Sequence, residues 1–281
     1  EMHVLNITIS GGEPMMNPKI ISILNKCREN NFSVNLLTNL TLLTDEICEV
    51  ISSNPLVSVQ ASLYSMDEAV HDSITRKKGS FRKTLASINK LWEKNVPMQI
   101  NCPIMKQNYE SYKDVQTWAV SMNIESSADY TLFGCYDGSK SNLYCRLRND
   151  DVKKIEIRQC NEKYANSNIS MNSKQKMFCG DIPICPVCKS SLCISNIGDI
   201  YPCEGWQGLK LGNLKEHSLR EIWNESPMVL HLRNLQVKDF PQCLSCRNRE
   251  YCSPCLIMNA NENTDGDYMT INPYMCELAE I

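Results

Sequence analysis

The chain has 281 residues, and the side chains with most chemistry to offer are its 16 cysteines. Six lie in residues 1–178 and ten in residues 179–281. The tail reads Cys188-x9-Gly198-x4-Cys203, then Cys243-x2-Cys246-x5-Cys252-x2-Cys255, then Cys276. Two cysteines separated by two residues reach one metal centre across a tight turn. Thiolates are the ligands of iron–sulfur clusters and of structural zinc, and this spacing alone leaves both open. The stretch from Cys203 to Cys243 must fold back to bring its ends together. Disulfides are the bland alternative, but they suit small secreted domains, and no signal peptide opens this longer chain. Cys193 lies inside a strand-like segment, while Cys27, Cys48 and Cys102 fit apolar faces, so these four read as core thiols. His3, His71, His217 and His231 show no spacing suited to a metal.

A second group of chemically capable residues sits in the first half, each set just after an apolar run. Gly11, Gly12, Glu13 and Pro14 follow residues 5–10. Thr38 and Asn39 follow 33–37. Ser62, Tyr64 and Ser65 close 56–63, with Arg76 further on. Lys106, Gln107 and Asn108 follow 97–104. Paired glycines let a backbone approach a ligand closely, and a carboxylate such as Glu13 can receive an ammonium group. The bland reading of the same residues is an ordinary strand-to-helix turn in which Pro14 starts the helix.

The elements that position these residues follow from periodicity. Runs 5–10, 33–37, 56–63, 97–104 and 125–132 read as strands. Between them, 18–30, 44–52, 81–94 and 109–122 carry apolar residues at helical spacing: Ile20, Ile21, Leu24 and Cys27; Ile47, Val50 and Ile51; Phe81, Leu85, Ile88 and Leu91; Tyr112, Val115, Trp118 and Ala119. Pro18 suits a first helical turn, and Thr44 with Asp45 and Glu46 suits a capped one. Strand and helix alternating at this spacing predict an α/β fold with a parallel sheet. A barrel or part-barrel is expected rather than a doubly wound sheet, because no G-x-G-x-x-G follows a strand. Active sites of such folds lie at the carboxyl ends of strands. In the tail, residues 192–203 read as a hairpin turned at Asn196–Gly198, followed by a short strand, a turn and a helix from about Ser218. Asn259–Asp267 reads as a polar loop, and Arg76-Lys77-Lys78 as a solvated one.

Composition narrows the class. Hydrophobic residues make up 42% and charged residues 22%, which excludes disordered and fibrous chains. The net charge of −3 argues against a nucleic-acid partner held by a broad basic face. No apolar run approaches the length of a membrane helix. Residues 179–281 carry 8 basic and 13 acidic side chains, against 21 and 19 in residues 1–178, so charge divides where cysteine density does. The expected organisation is a barrel-like domain over 1–134, a connecting helical segment over 135–178 and a cysteine-rich domain over 179–281.

Residues 7–20, ITISGGEPMMNPKI, resemble the second strand and S-adenosylmethionine-binding turn of radical SAM enzymes. The tail resembles the SPASM extension, which carries auxiliary iron–sulfur clusters in peptide- and protein-modifying members. The resemblance covers nearly the whole chain. It implies a partial (β/α)6 barrel and a small cysteine-rich α+β SPASM domain. By resemblance, Gly11, Gly12, Glu13 and Pro14 meet the amino group of S-adenosylmethionine. Thr38, Asn39, Ser62, Arg76 and Asn108 are carried over to its remaining polar groups. One auxiliary [4Fe–4S] cluster takes Cys188, Cys203 and Cys255, with Cys185 as fourth ligand and Cys179 as runner-up. The other takes Cys243, Cys246, Cys252 and Cys276. The family commonly has C-x3-C where this chain has Cys252-x2-Cys255. Glu204 stands where sulfatase-maturing relatives place an aspartate proposed as a base; a solvated hairpin carboxylate is the plain alternative.

The family's catalytic C-x-x-x-C-x-x-C loop precedes the Gly-Gly-Glu-Pro turn, and none occurs in these 281 residues. The expectation is a fragment lacking its first barrel strand and that loop. The resemblance implies an enzyme that reduces S-adenosylmethionine, abstracts a hydrogen atom from a peptide or protein substrate and so matures it, for example by a crosslink in a ribosomal peptide. It implies an electron donor such as flavodoxin or ferredoxin, and a reducing, cytoplasmic setting. A sulfatase-type maturase and a non-catalytic iron–sulfur or zinc binding module are the alternative readings.

Overall fold

In the computed structural model, which describes residues 2–165, 180–249 and 252–281, the chain divides into two compact units, 1–131 and 132–281. The first alternates strands and helices in chain order: β1 (Asn6–Ile9), α1 (Ile20–Glu29), β2 (Ser33–Thr38), α2 (Asp45–Ser52), β3 (Val57–Ser62), α3 (Glu68–Thr75), α4 (Ser80–Glu93), β4 (Met98–Asn101), α5 (Tyr112–Ser121) and β5 (Glu125–Ser127). All neighbouring strands pair in parallel, in the order β1-β2-β3-β4-β5. Strand order follows chain order throughout, as in a barrel wall, whereas a doubly wound sheet reverses it.

One face of this sheet is apolar and buried. Register aligns Val34 with Val57, Leu36 with Val59 and Ala61 with Ile100. Leu24 on α1, Ile51 on α2, Ile88 and Leu91 on α4 and Val115 on α5 are buried as well. The other face is polar and half-buried. There Gln60 Nε2 donates to Gln99 Oε1 at 2.6 Å, and Asn101 Nδ2 donates to Gln60 Oε1 at 3.3 Å. Period-2 alternation thus separates the core from an interior able to receive a polar ligand.

Three local details depart from expectation. Pro18 lies in a turn, and α1 starts at Ile20; Pro14 instead opens a one-turn 3-10 helix, Pro14–Met16. α3 was not legible, because only His71 of its side chains is buried. Asp67 caps it, with Oδ1 accepting from the backbone N–H of Ala69 at 2.7 Å and of Val70 at 3.2 Å. The buried face of α4 runs through Ser80, Thr84, Ile88 and Leu91 rather than through Phe81 and Leu85.

The second unit contains α6 (Asn149–Ala165), an antiparallel sheet of β6 (Cys193–Ile194), β7 (Asp199–Tyr201) and β8 (Gly212–Asn213), then α7 (Leu219–Glu225), α8 (Pro227–Asn234), α9 (Pro241–Leu244), α10 (Leu256–Glu262) and α11 (Pro273–Ala279). Gly198, at φ +90°, turns the hairpin. Ser218 and Glu221 form a capping box on α7. Phe240, Leu232, Val229, Ile200 and Leu256 form the centre of its core.

The expected polar loop at Asn259 is a correction: Asn259, Asn261 and Glu262 are buried on α10. Their polar atoms are satisfied internally. Asn259 Nδ2 donates to Tyr268 O at 3.0 Å, and Asn261 Nδ2 donates to Gly134 O at 2.8 Å and to Gly205 O at 3.0 Å. Glu262 receives both Nη atoms of Arg146, at 2.6 and 3.0 Å, with Gly134 N and Asn272 Nδ2 each at 3.1 Å. Polar composition here signals a satisfied buried network, not solvent.

Candidate functional site

At the carboxyl end of β1, Gly11 adopts φ +136°, which only glycine takes without strain. A Cβ added at Gly11 or Gly12 would meet nothing within 4 Å, so the space above this backbone is open to a ligand. Glu13 follows in extended conformation. Its Oε1 accepts from Met15 N at 3.1 Å and from the Thr38 hydroxyl at 2.7 Å, and its Oε2 accepts from Asn39 N at 2.9 Å. A carboxylate has about four acceptor positions. Three are taken, which orients the group and leaves Oε2 able to receive one further donor. That arrangement fits the ammonium group of an amino acid.

Thr38 and Asn39 therefore act on Glu13. Thr38 is buried and also accepts from Leu40 N at 2.9 Å. The Asn39 carboxamide bends back to accept from Thr41 N and Oγ1, at 2.9 and 2.7 Å. The Asn39 carbonyl accepts from the Thr84 hydroxyl at 2.8 Å. Sequence reading missed Thr84. A threonine on the core side of an otherwise apolar helix face was the signal that could have found it.

Beyond β3, Ser62 hydrogen-bonds the Tyr64 side chain; burial pushes the Tyr64 phenol up, and that bond partly offsets the rise. Tyr64 is the hub of this end. Its N–H donates to His71 Nδ1 at 3.3 Å, and its carbonyl accepts from Asn108 Nδ2 at 2.8 Å. Asn108 is 1% exposed, and its carboxamide also bonds Pro103 O at 2.9 Å and Met105 N at 2.7 Å. It shapes the loop from within. Arg76 is exposed and caps the end of α3 in left-handed conformation, at φ +56°. The structure thus brings Glu13, Thr38 and Asn39 together, groups Ser62 with Asn108 through Tyr64, and sets Arg76 on a helix end. A cavity of about 630 Å³ lies instead at the amino ends of the strands, lined by Asn35, Ser58, Gln60, Gln99 and Glu125.

In the second unit the charge interactions among the thiols run within two groups, and Cys193 joins the first of them through Cys203. Cys185 and Cys203 act on Cys188 and on Cys255. Cys246, Cys252 and Cys276 act on Cys243. Cys246 and Cys276 also act on Cys252, and Cys246 acts on Cys276. Cys179 lies outside the described residues. Burial raises Cys188 and Cys243 to about 11 each. Backbone N–H groups oppose the effect elsewhere: those of Val187 and Leu256 bond the Cys185 sulfur, and those of Met258 and Ile257 bond the Cys255 sulfur, at the start of α10. Cys188 itself sits in left-handed conformation, at φ +56°.

The donor chemistry of these groups, thiols throughout, fits a metal centre. Among the described residues no three His, Cys, Asp or Glu side chains are already gathered as a metal-ion site. Cys193 is half-buried on β6, and Glu204 and Cys203 act on it. Glu204 is exposed in the loop after Cys203.

Comparison with known proteins matches both parts of the chain to family models. The model of the Radical SAM superfamily matches residues 1–119, and that of the SPASM iron–sulfur cluster-binding domain matches residues 185–256. An AdoMet-dependent heme synthase of Methanosarcina barkeri is 27% identical, over 95% of this chain and 81% of its own length. A PqqA peptide cyclase of Gluconobacter oxydans is 23% identical, over 98% of this chain and 79% of its own. Among solved structures, anSMEcpe with bound AdoMet superposes with TM-score 0.74 at 18% identity, covering 99% of this chain and 77% of that one. Streptococcus suis SuiB bound to precursor peptide SuiA superposes with TM-score 0.68 at 18% identity, covering 94% and 64%. The chain therefore spans less than two thirds of SuiB.

Proposed function

We propose that this chain, which belongs to the radical SAM superfamily and carries a SPASM iron–sulfur cluster-binding domain, is the S-adenosylmethionine-binding and electron-relay part of a peptide-modifying enzyme. One observation carries the reading: the Glu13 carboxylate, at the carboxyl end of the sheet, is held by the Thr38 hydroxyl and Asn39 N with room left for an ammonium group. Glu13 receives the amino group, Gly11 and Gly12 let the backbone come close, and Thr38 and Asn39 fix the carboxylate. Ser62 and Asn108 shape the neighbouring strand ends. Cys185, Cys188, Cys203 and Cys255 hold one [4Fe–4S] cluster, and Cys243, Cys246, Cys252 and Cys276 hold the other. S-adenosylmethionine supplies hydrogen-atom abstraction from carbon once reduced, and the clusters supply one-electron transfer. Glu204, exposed and next to Cys203 in the chain, would be the group to take a proton from a bound substrate.

The substrate class comes from the relatives: PqqA peptide cyclases act on a peptide, and SuiB binds one. A flavodoxin or ferredoxin would deliver the electron, and oxygen-labile centres call for a reducing compartment such as the cytoplasm. No helix among the described residues is long and apolar enough to cross a membrane. The second reading is tetrapyrrole chemistry, favoured by the 27% identity to a heme synthase. Binding to the anaerobically reconstituted chain separates the two. Saturable binding of precursor-type peptides, strengthened by S-adenosylmethionine, supports the first. Binding of haem or a related tetrapyrrole, with none for peptides, supports the second.

A further inference from the structure

We propose that Arg233 is the fixed counter-charge of the first thiol set, a positioning residue that holds Cys188 in place and sets the reduction potential of the cluster those thiols take. The proposal rests on the cluster assignment made above.

Arg233 lies in the last turn of α8. Its Nε donates to the carbonyl oxygen of Cys188 at 2.8 Å, and its Nη2 donates to the carbonyl oxygen of Trp223 at 2.7 Å. The guanidinium also stacks over the Trp223 ring, 4.4 Å from its centroid. A planar fork with five donors, held at three points, has little freedom left. The residue it grips is unusual. Cys188 is wholly buried and in the left-handed region, at φ +56°. A residue with a Cβ stays there only when its surroundings hold it. The Arg233 bond to its carbonyl supplies one such restraint.

The same contact brings a permanent positive charge near Cys188, on whose thiol it acts. The other groups whose charges act on Cys188 are the thiols Cys185 and Cys203. Four thiolates around a cluster make the site negative, and an added electron makes it more so. A half-buried, fixed cation offsets part of that cost, and outer-shell groups of this kind tune cluster potentials. The second thiol set repeats the device. Arg249 donates through Nη1 to the carbonyl of Cys252, one of that set's own cysteines, and its charge acts on Cys243 and Cys252. Two sets on different elements, each with a guanidinium bonded to a ligand's carbonyl, argue for an electrostatic role beyond packing.

The test uses the reconstituted 281-residue chain with Arg233→Gln and Arg233→Lys, following each cluster's signal through a dithionite titration by electron paramagnetic resonance. With iron and sulfide retained, Arg233→Gln is expected to lower one of the two midpoint potentials by about 59 mV, a tenfold change in a one-electron reduction constant, and to leave the other in place. Arg233→Lys keeps the charge and should remain near the native value. Unchanged potentials in Arg233→Gln overturn the proposal. So do equal shifts, or equal loss of iron, in both variants, which would make Arg233 a packing clamp alone. A native chain with no iron at this thiol set overturns the underlying assignment, and shows it before any variant is made.

Discussion

The hydroxyl of Thr38, at the end of β2, donates to Glu13 Oε1 at 2.7 Å, joining two strand ends that lie 25 residues apart in sequence. A parallel sheet makes this contact possible, because β1 and β2 finish on the same edge. The consequence is a carboxylate aimed before any ligand arrives. Glu13→Gln removes the charge that an ammonium needs, and Thr38→Val removes one charge-assisted bond of about 1.5–3 kcal/mol. We expect Glu13→Gln to abolish S-adenosylmethionine binding and Thr38→Val to weaken it about tenfold or more, as read by titration calorimetry.

These 281 residues contain no C-x-x-x-C-x-x-C. Reduced and supplied with S-adenosylmethionine, the chain alone is expected to bind it without forming 5′-deoxyadenosine. Chromatography of the quenched mixture checks this, and turnover would require another cluster to act as the catalytic one.

The two thiol sets are expected to load independently. Cys188→Ala and Cys276→Ala should each remove about four irons, a single [4Fe–4S] cluster. Combining Cys188→Ala with Cys255→Ala should cost no more than either alone, since both act on one set. Cys193→Ser should leave iron content unchanged. Iron and sulfide analysis of the series reads the result directly.

Arg146 and Glu262 form a bidentate pair whose side chains are 11% and 6% exposed, and Arg146 stacks 4.0 Å from the Tyr274 ring centroid. Breaking one side of such a pair strands a buried charge. Glu262→Gln or Arg146→Met should lower the stability of the second unit by about 3–5 kcal/mol. A Cβ on Gly134 would lie 2.9 Å from Glu262 Cγ, so Gly134→Ala should cost about 1–3 kcal/mol by overpacking the same site. Denaturant unfolding measures both.

His71 is 1% exposed, and its Nδ1 accepts from Tyr64 N. Burial lowers its pKa below the usual 6.5, with Asp72 partly opposing. A base whose folded pKa is depressed is neutral in both states above the unfolded value, so it adds no penalty there. Below it the unfolded chain takes up the proton first, and stability falls. The melting temperature should therefore drop as pH falls below 6.5, and His71→Gln should flatten that part of the profile.

The strands and most helices of the first unit were legible because period-2 and period-3.6 patterns coincide there with clean caps, such as Thr44 accepting from Ile47 N at 3.2 Å. α3 was hidden because it buries little beyond His71. The Asn259 segment misled because buried amides look like loop residues until their partners are seen; Gly134 lies 127 residues from Asn261. At the site, Glu13 was readable from its motif, while its supports were partly so. Thr38 and Asn39 stood next to a strand end, but Thr84 and Tyr64 act through contacts that spacing cannot reveal. The thiol spacing in the tail suggested metal, and the assignment of its cysteines to two sets came from the resemblance, since spacing alone does not say which distant thiols meet.

The most direct test of the account is metal and acid-labile sulfide content after anaerobic reconstitution, with the visible spectrum taken on the same sample. Two auxiliary clusters predict about eight irons and about eight sulfides per chain, with charge-transfer absorption that bleaches on reduction. About two zincs, no sulfide and no visible absorption would contradict it and make the tail a structural zinc module.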